Sequence, residues 1–133
     1  MENKQSLLLP SGRDVTLNIG LGKGSKHTTQ GVPHRLRTIT KLLPQVMEPG
    51  YIAVLHLTPS RVWVGEPMLV VQGTMREGAA LSTLLWEGLE QAEQDCIAIW
   101  NHETEHGSLF GPKADDWGLF NVNFFYFIGD KHE

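Results

Sequence analysis

Cysteine is nearly missing from this chain: one, Cys96, occurs in 133 residues. A single thiol closes no internal disulfide and supplies no multi-thiolate zinc site. Cys96 lies inside the apolar run Cys96-Ile97-Ala98-Ile99-Trp100, so it reads as a small core residue, and the chain as one of a reducing compartment, the cytoplasm. Long apolar runs are missing too. No stretch approaches the roughly 20 residues a spanning helix needs. Met1 to Ser6 lacks the basic start and long apolar centre of a signal peptide, and Leu7-Leu8-Leu9 stops at Pro10. Membrane insertion and secretion are therefore disfavoured. Positive charge is not in excess: 11 Lys and Arg face 15 Asp and Glu, for a net charge of −4. That balance disfavours a general grip on nucleic acid while leaving a local basic patch open.

What is present is enough for a core. Hydrophobic residues make up 41% of the chain and charged residues 20%, below the level of a disordered, solvated polypeptide. There is no internal repeat, low-complexity tract or linker, and the length fits one domain over residues 1–133.

Periodicity gives the elements. Ser6 to Leu9 is a short apolar run closed by a Pro10–Asp14 turn, and Val15 to Leu21 alternates apolar and polar as a half-buried strand does. Pro33 suits a helix first turn, with Leu36, Ile39, Leu42, Leu43 and Val46 at helical spacing; Pro44 predicts a kink or an end near Leu43. Tyr51–Leu57 and Pro67–Gln72 read as strands, with Arg61–Val64 between them as a further extended piece. Thr74-Met75-Arg76-Glu77 has capping-box spacing ahead of a second helix bearing Leu81, Leu84, Leu85, Leu89 and Ala92 on one face. Cys96–Trp100, Ser108–Phe110 and Asn123–Ile128 complete the strands. Strand, helix, strand, strand, helix, strand predicts an α+β chain of the ferredoxin-like split β-α-β plan, with extra N- and C-terminal strands.

Two segments carry chemistry-bearing patterns. The first is Gly22-Lys23-Gly24-Ser25-Lys26-His27-Thr28-Thr29, between a strand and a helix. Glycines let backbone N–H groups approach an anion, lysines add charge and hydroxyls add hydrogen bonds, the chemistry of a phosphate cradle. It is no Walker sequence, because Gly24 follows Lys23, and no dinucleotide fingerprint, because the glycine spacing differs. The plain alternative is a solvated loop. The second is His102-Glu103-Thr104-Glu105-His106, which spells the HExxH of zinc proteases. That motif needs an amphipathic helix; here it follows a strand and runs into Gly107, so a hairpin tip is the expectation, with His102 and His106 as metal-site candidates only.

Three histidines precede a threonine by two positions: His27, His56 and His102. Two such units resemble the signature of 2H phosphoesterases, in which paired histidines serve as acid and base. That family's two-lobed fold needs a longer chain, and two of the tripeptides lie in polar loops. Trp117, in a loop beside Gly118, either plugs a sheet edge or offers a stacking face to a base. Asn123-Phe124-Phe125-Tyr126-Phe127-Ile128 is apolar on both faces and needs cover from a helix or another chain, which predicts a homo-oligomer.

Glu66–Val71, Ile97–Trp100, Gly107–Pro112 and Trp117–Asn121 together resemble a group of small α+β proteins of phages and mobile elements, over most of residues 15–128. The resemblance brings no catalytic residues. It implies a setting in which small accessory proteins counter host defence, some by sequestering nucleotide signals. The expectation is thus a non-enzymatic, cofactor-free binder of an anionic small molecule, of cyclic nucleotide or ADP-ribose type. Gly22, Lys23, Gly24, Ser25, Lys26, His27 and Thr28 would hold phosphate and Trp117 would stack. The alternatives are a zinc hydrolase at 102–106, a 2H-like phosphodiesterase using His56, and an inhibitor that binds a host defence protein.

Overall fold

The computed structural model describes residues 12–21, 31–57, 67–77, 81–116 and 125–129. In chain order these form β1 (Asp14–Gly20), α1 (Val32–Val46), β2 (Ile52–Leu57), β3 (Pro67–Thr74), α2 (Leu81–Gln91), β4 (Ile97–Asn101) and β5 (His106–Phe110). The strands make one five-stranded sheet in the order β2-β3-β1-β4-β5, every neighbouring pair antiparallel. The protein is α+β, with two helices against an antiparallel sheet. Since β3 runs antiparallel to both β1 and β2, those two are parallel to each other and separated by a strand from later in the chain. No described helix is long and apolar enough to cross a membrane.

Alternation along β1 sorts the two sheet faces. Val15, Leu17 and Ile19 point to the helices, beside Leu69 and Val71 of β3 and Ile97 and Ile99 of β4. Ile39, Leu42, Leu43 and Val46 of α1 and Leu85 and Leu89 of α2 complete that core. The helices approach closely where α2 has Gly88: a Cβ there would stand 2.6 Å from Leu42 Cδ2. A larger residue would have to displace the Leu42 side chain.

The helix α1 continues past Pro44 to Val46, where the proline had predicted a kink or an end near Leu43. The residues after β3 hold its last turn: Arg76 Nε donates to the Pro44 carbonyl (3.1 Å) and the Arg76 N–H to the Val46 carbonyl (2.8 Å). These bonds satisfy carbonyls that a helix end otherwise leaves to water. β3 is also longer than its apolar run. Thr74 is its last residue and donates its hydroxyl to Asp14 Oδ1 at 2.5 Å, so it does not cap α2, which starts at Leu81.

The other face of the sheet is covered by the chain itself. Residues 125–128, expected to lie within a last strand, form no strand; they cross the face as a strap. Asn18 on β1 bonds both backbone polar groups of Tyr126: its Oδ1 accepts the Tyr126 N–H (2.8 Å) and its Nδ2 donates to the Tyr126 carbonyl (2.9 Å). Gln72 on β3 accepts the Ile128 N–H at 2.6 Å. Side-chain amides here take over the pairing that a neighbouring strand's backbone would supply. Tyr126 packs on Met68 and Val70, and Phe125 against the cluster of Ala98, Leu109 and Ala114. Thr16 and Asn18, whose polar alternation predicted a half-buried strand, are therefore 0% and 5% exposed. Ser6–Leu9, Arg61–Val64 and residues 123–124 lie outside the described residues.

Candidate functional site

All of the expected ligand-holding residues, Gly22 to Thr28 and Trp117, lie outside the described residues. What the structure does give is the frame on either side of 22–30. The preceding residue, Leu21, is fully buried and donates its N–H to the Pro67 carbonyl at 3.0 Å. The following residue, Gly31, is the N-cap of α1.

One side chain ties these two ends together. Arg35, in the first turn of α1, is 1% exposed. Its Nη1 donates to the Leu21 carbonyl (2.8 Å) and its Nη2 to the Gly20 carbonyl (3.4 Å), the last residues before the loop. Nε donates to the Ala92 carbonyl (3.2 Å), and Nη2 also reaches Gln94 Oε1 (2.5 Å). Gln94 in turn donates Nε2 to the carbonyls of Gly20 (2.8 Å) and Cys96 (3.2 Å). The guanidinium's planar fork is suited to this, since it presents several donors in fixed directions. Burial lowers the Arg35 pKa from its ordinary value, while the charges of Asp95 and Glu93 work the other way. A cation is thus kept inside the protein between the end of β1 and the start of α1.

The end of α2 explains how Gln94 comes to face Arg35. The Glu93 N–H bonds the Glu90 carbonyl (3.0 Å) and the Gln94 N–H bonds the Leu89 carbonyl (2.8 Å), the double bond of a Schellman turn. Glu93 holds the left-handed position of that turn, φ 55°, where glycine is usual. The turn swings Gln94 and Asp95 inward, and both are buried.

Among the described residues, no side chain caps the start of α1. Gly31 makes no side-chain cap, the first turn of α1 holds no acidic residue, and Pro33 contributes no N–H of its own. Amides left over at a helix start carry partial positive charge and are met by caps, water or a bound anion.

The HExxH segment is at the opposite end of β1. Residues 102–105 form the turn between β4 and β5, and His106 is the first residue of β5. The two histidines are not presented on a helix. His102 Nε2 lies 2.6 Å from the hydroxyl of buried Thr16, and its ring tilts against Phe127. Glu103 pairs with Arg13 (2.9 Å), with both side chains more than half exposed. Glu105 takes the left-handed position of the turn, φ 56°. Among the described residues, no three His, Cys, Asp or Glu side chains converge as a metal would require.

His56 lies on β2 opposite Met68, its ring edge-on to Tyr126 at 5.7 Å. His56 and His102 thus both meet the strap, each against a different ring, and His27 is outside the described residues. Cys96 is half-buried, and burial, aided by the charge of Asp95, pushes its thiol up to about 12, so it is protonated near neutrality.

No protein-family model matches the chain, and neither a characterised protein nor a solved structure shows significant similarity to it.

Proposed function

We propose that this chain is a non-enzymatic binder of an anionic small molecule, of the cyclic nucleotide or ADP-ribose type, held where β1 passes into α1. The observation that carries the reading is the frame of that junction. A buried arginine fastens the end of β1 to the first turn of α1, and the helix begins beside it without a capping side chain or an acidic residue. Between these fixed points runs Gly22-Lys23-Gly24-Ser25-Lys26-His27-Thr28, whose amides, ammonium groups and hydroxyls suit phosphate. Trp117 would supply a stacking face for a base.

The setting proposed is sequestration of a nucleotide immune signal by a phage-encoded protein, an expectation that rests on the resemblance read from the sequence alone. For the fold, we read the strand order β2-β3-β1-β4 as the ferredoxin-like split β-α-β plan, with β5 added at one edge.

Calorimetry with a panel of cyclic mono- and dinucleotides and ADP-ribose tests the function. The expected result is saturable binding of at least one ligand, weakened at least tenfold in a Lys23→Ala/Lys26→Ala variant. Heats at the level of dilution across the panel, or binding unaffected by the double substitution, would reject it.

A further inference from the structure

Extended backbone points the N–H and C=O of one residue to the same side, and a neighbouring antiparallel strand meets them with a matching pair. On the strap face of the sheet a single side chain does this. Asn18 bonds the Tyr126 N–H (2.8 Å) and its carbonyl (2.9 Å), and Gln72 accepts the N–H of Ile128 (2.6 Å). These bonds address main chain only, so the seats beside them decide which side chains fit. Tyr126 sits on Met68 and Val70, its ring edge-on to His56. Phe125 lies over Gly107, where a Cβ would stand 2.5 Å from its Cε2, and tilts against Trp100. The ladders of the sheet are complete without this segment. β1 is paired along both sides, with β3 and β4, and residues 125–128 join no strand. The core on the helix side holds no strap residue. Among the described residues, the hydrogen bonds that fasten the strap's backbone end on the side chains of Asn18 and Gln72, not on strand backbone. The strap can therefore leave without opening the sheet.

We propose that this face is a binding site for an extended, uncharged peptide segment of another protein that carries successive aromatic residues, and that residues 125–128 close it in the free protein as an intramolecular ligand. The chemistry of the occupant is read from the segment seated there. Phe125-Tyr126-Phe127 places one ring on Met68 and Val70 and the next ones against Trp100, with the main chain of the middle residue held by Asn18. A charged side chain at the seat of Tyr126 or Phe125 would be buried among apolar groups without a partner, so such peptides are excluded. A peptide arriving from outside competes with the strap and meets only the open fraction of the protein, which lowers its apparent affinity in proportion. The site is independent of the anion reading at the β1–α1 junction.

Fluorescence anisotropy of the full chain with a labelled peptide tests this. The peptide is Asn-Phe-Phe-Tyr-Phe-Ile-Gly, the sequence of residues 123–129, carrying a neutral solubilising tail. Phe125→Ala/Tyr126→Ala weakens the strap and leaves the residues of the face in place. The expected result is saturable binding to this variant, at least tenfold tighter than to the wild type. Binding should weaken at least tenfold when the tyrosine amide of the peptide is N-methylated, because that removes the N–H that Asn18 accepts. Apolar sticking alone would not respond to this change. Phe127→Ala is the gentler second variant, used where the double substitution alters the native circular dichroism. No saturable binding to a strap variant with native circular dichroism, binding no tighter than the wild type's, binding indifferent to N-methylation, or loss of the native fold in both variants would overturn the proposal.

Discussion

The two ends of β1 differ in a way the residue letters do not advertise. At the Asp14 end, the chain spells a protease motif, yet the structure makes a solvent-facing turn there, held by an exposed Arg13–Glu103 pair, a hydrogen bond between His102 and the Thr16 hydroxyl, and local backbone bonds to Asn101 and Asp14. At the Gly20 end, no motif matches in full, yet a buried arginine and a buried glutamine bond the carbonyls of Gly20 and Leu21. Burying a cation needs several well-placed acceptors, so the Gly20 end is where structure is concentrated. The difference teaches that a motif's letters carry chemistry only when the backbone beneath them has the required form.

Substitutions sharpen the contrast. The largest expected effect is at Arg35: Arg35→Ala empties a buried site and strands its acceptors, a loss of about 3–5 kcal/mol in urea unfolding. A loss below about 1 kcal/mol would show that the clamp contributes little. Next comes Asn18→Ala, which leaves the Tyr126 N–H and carbonyl without their amide partner; about 1–3 kcal/mol is expected. Hydrogen exchange should then quicken at the Tyr126 amide while that of Leu17, in the helix-side core, is much less affected. At the other end of β1, Thr16→Val removes one hydrogen bond and should cost about 0.5–1.5 kcal/mol. Arg13→Ala breaks an ion pair whose side chains are 57% and 59% exposed, and about 0.2–1 kcal/mol is expected, diminishing with salt.

Cys96 supplies a pH-dependent test next to the clamp. Its thiol is raised from 9.0 to about 12 by burial and Asp95, so the folded state retains a proton that the unfolded state gives up first. Its contribution to stability is full below pH 9.0 and declines as pH rises towards about 12. Near neutrality the native thiol should react far more slowly with iodoacetamide than that of the urea-unfolded chain. Equal rates would contradict the half-buried placement of Cys96 just before β4.

Much of the architecture was legible in the sequence. Strict alternation marked β1, and the heptad-like spacing of Ile39, Leu42, Leu43 and Val46 marked α1. The strap was not, because a run of aromatic residues reads as a strand whether a neighbouring backbone or a pair of side-chain amides satisfies it. Asn18 looked like the solvent side of its strand for the same reason. Arg35 did leave a signal. It stands four residues before Ile39 and seven before Leu42, in register with the buried stripe, where a charged residue has to find partners inside the protein. Those partners come from 14 to 59 residues away, on β1 and beyond α2, and no local pattern names them.

The contest between the two ends of β1 can be decided by one measurement, an amide-resolved NMR titration with whichever nucleotide binds in calorimetry. Binding at the junction predicts the largest shifts among the amides of residues 22–34 and the Arg35 side chain, with the 102–106 turn unmoved. Shifts centred on His102 and His106 instead, with residues 22–34 silent, would contradict it.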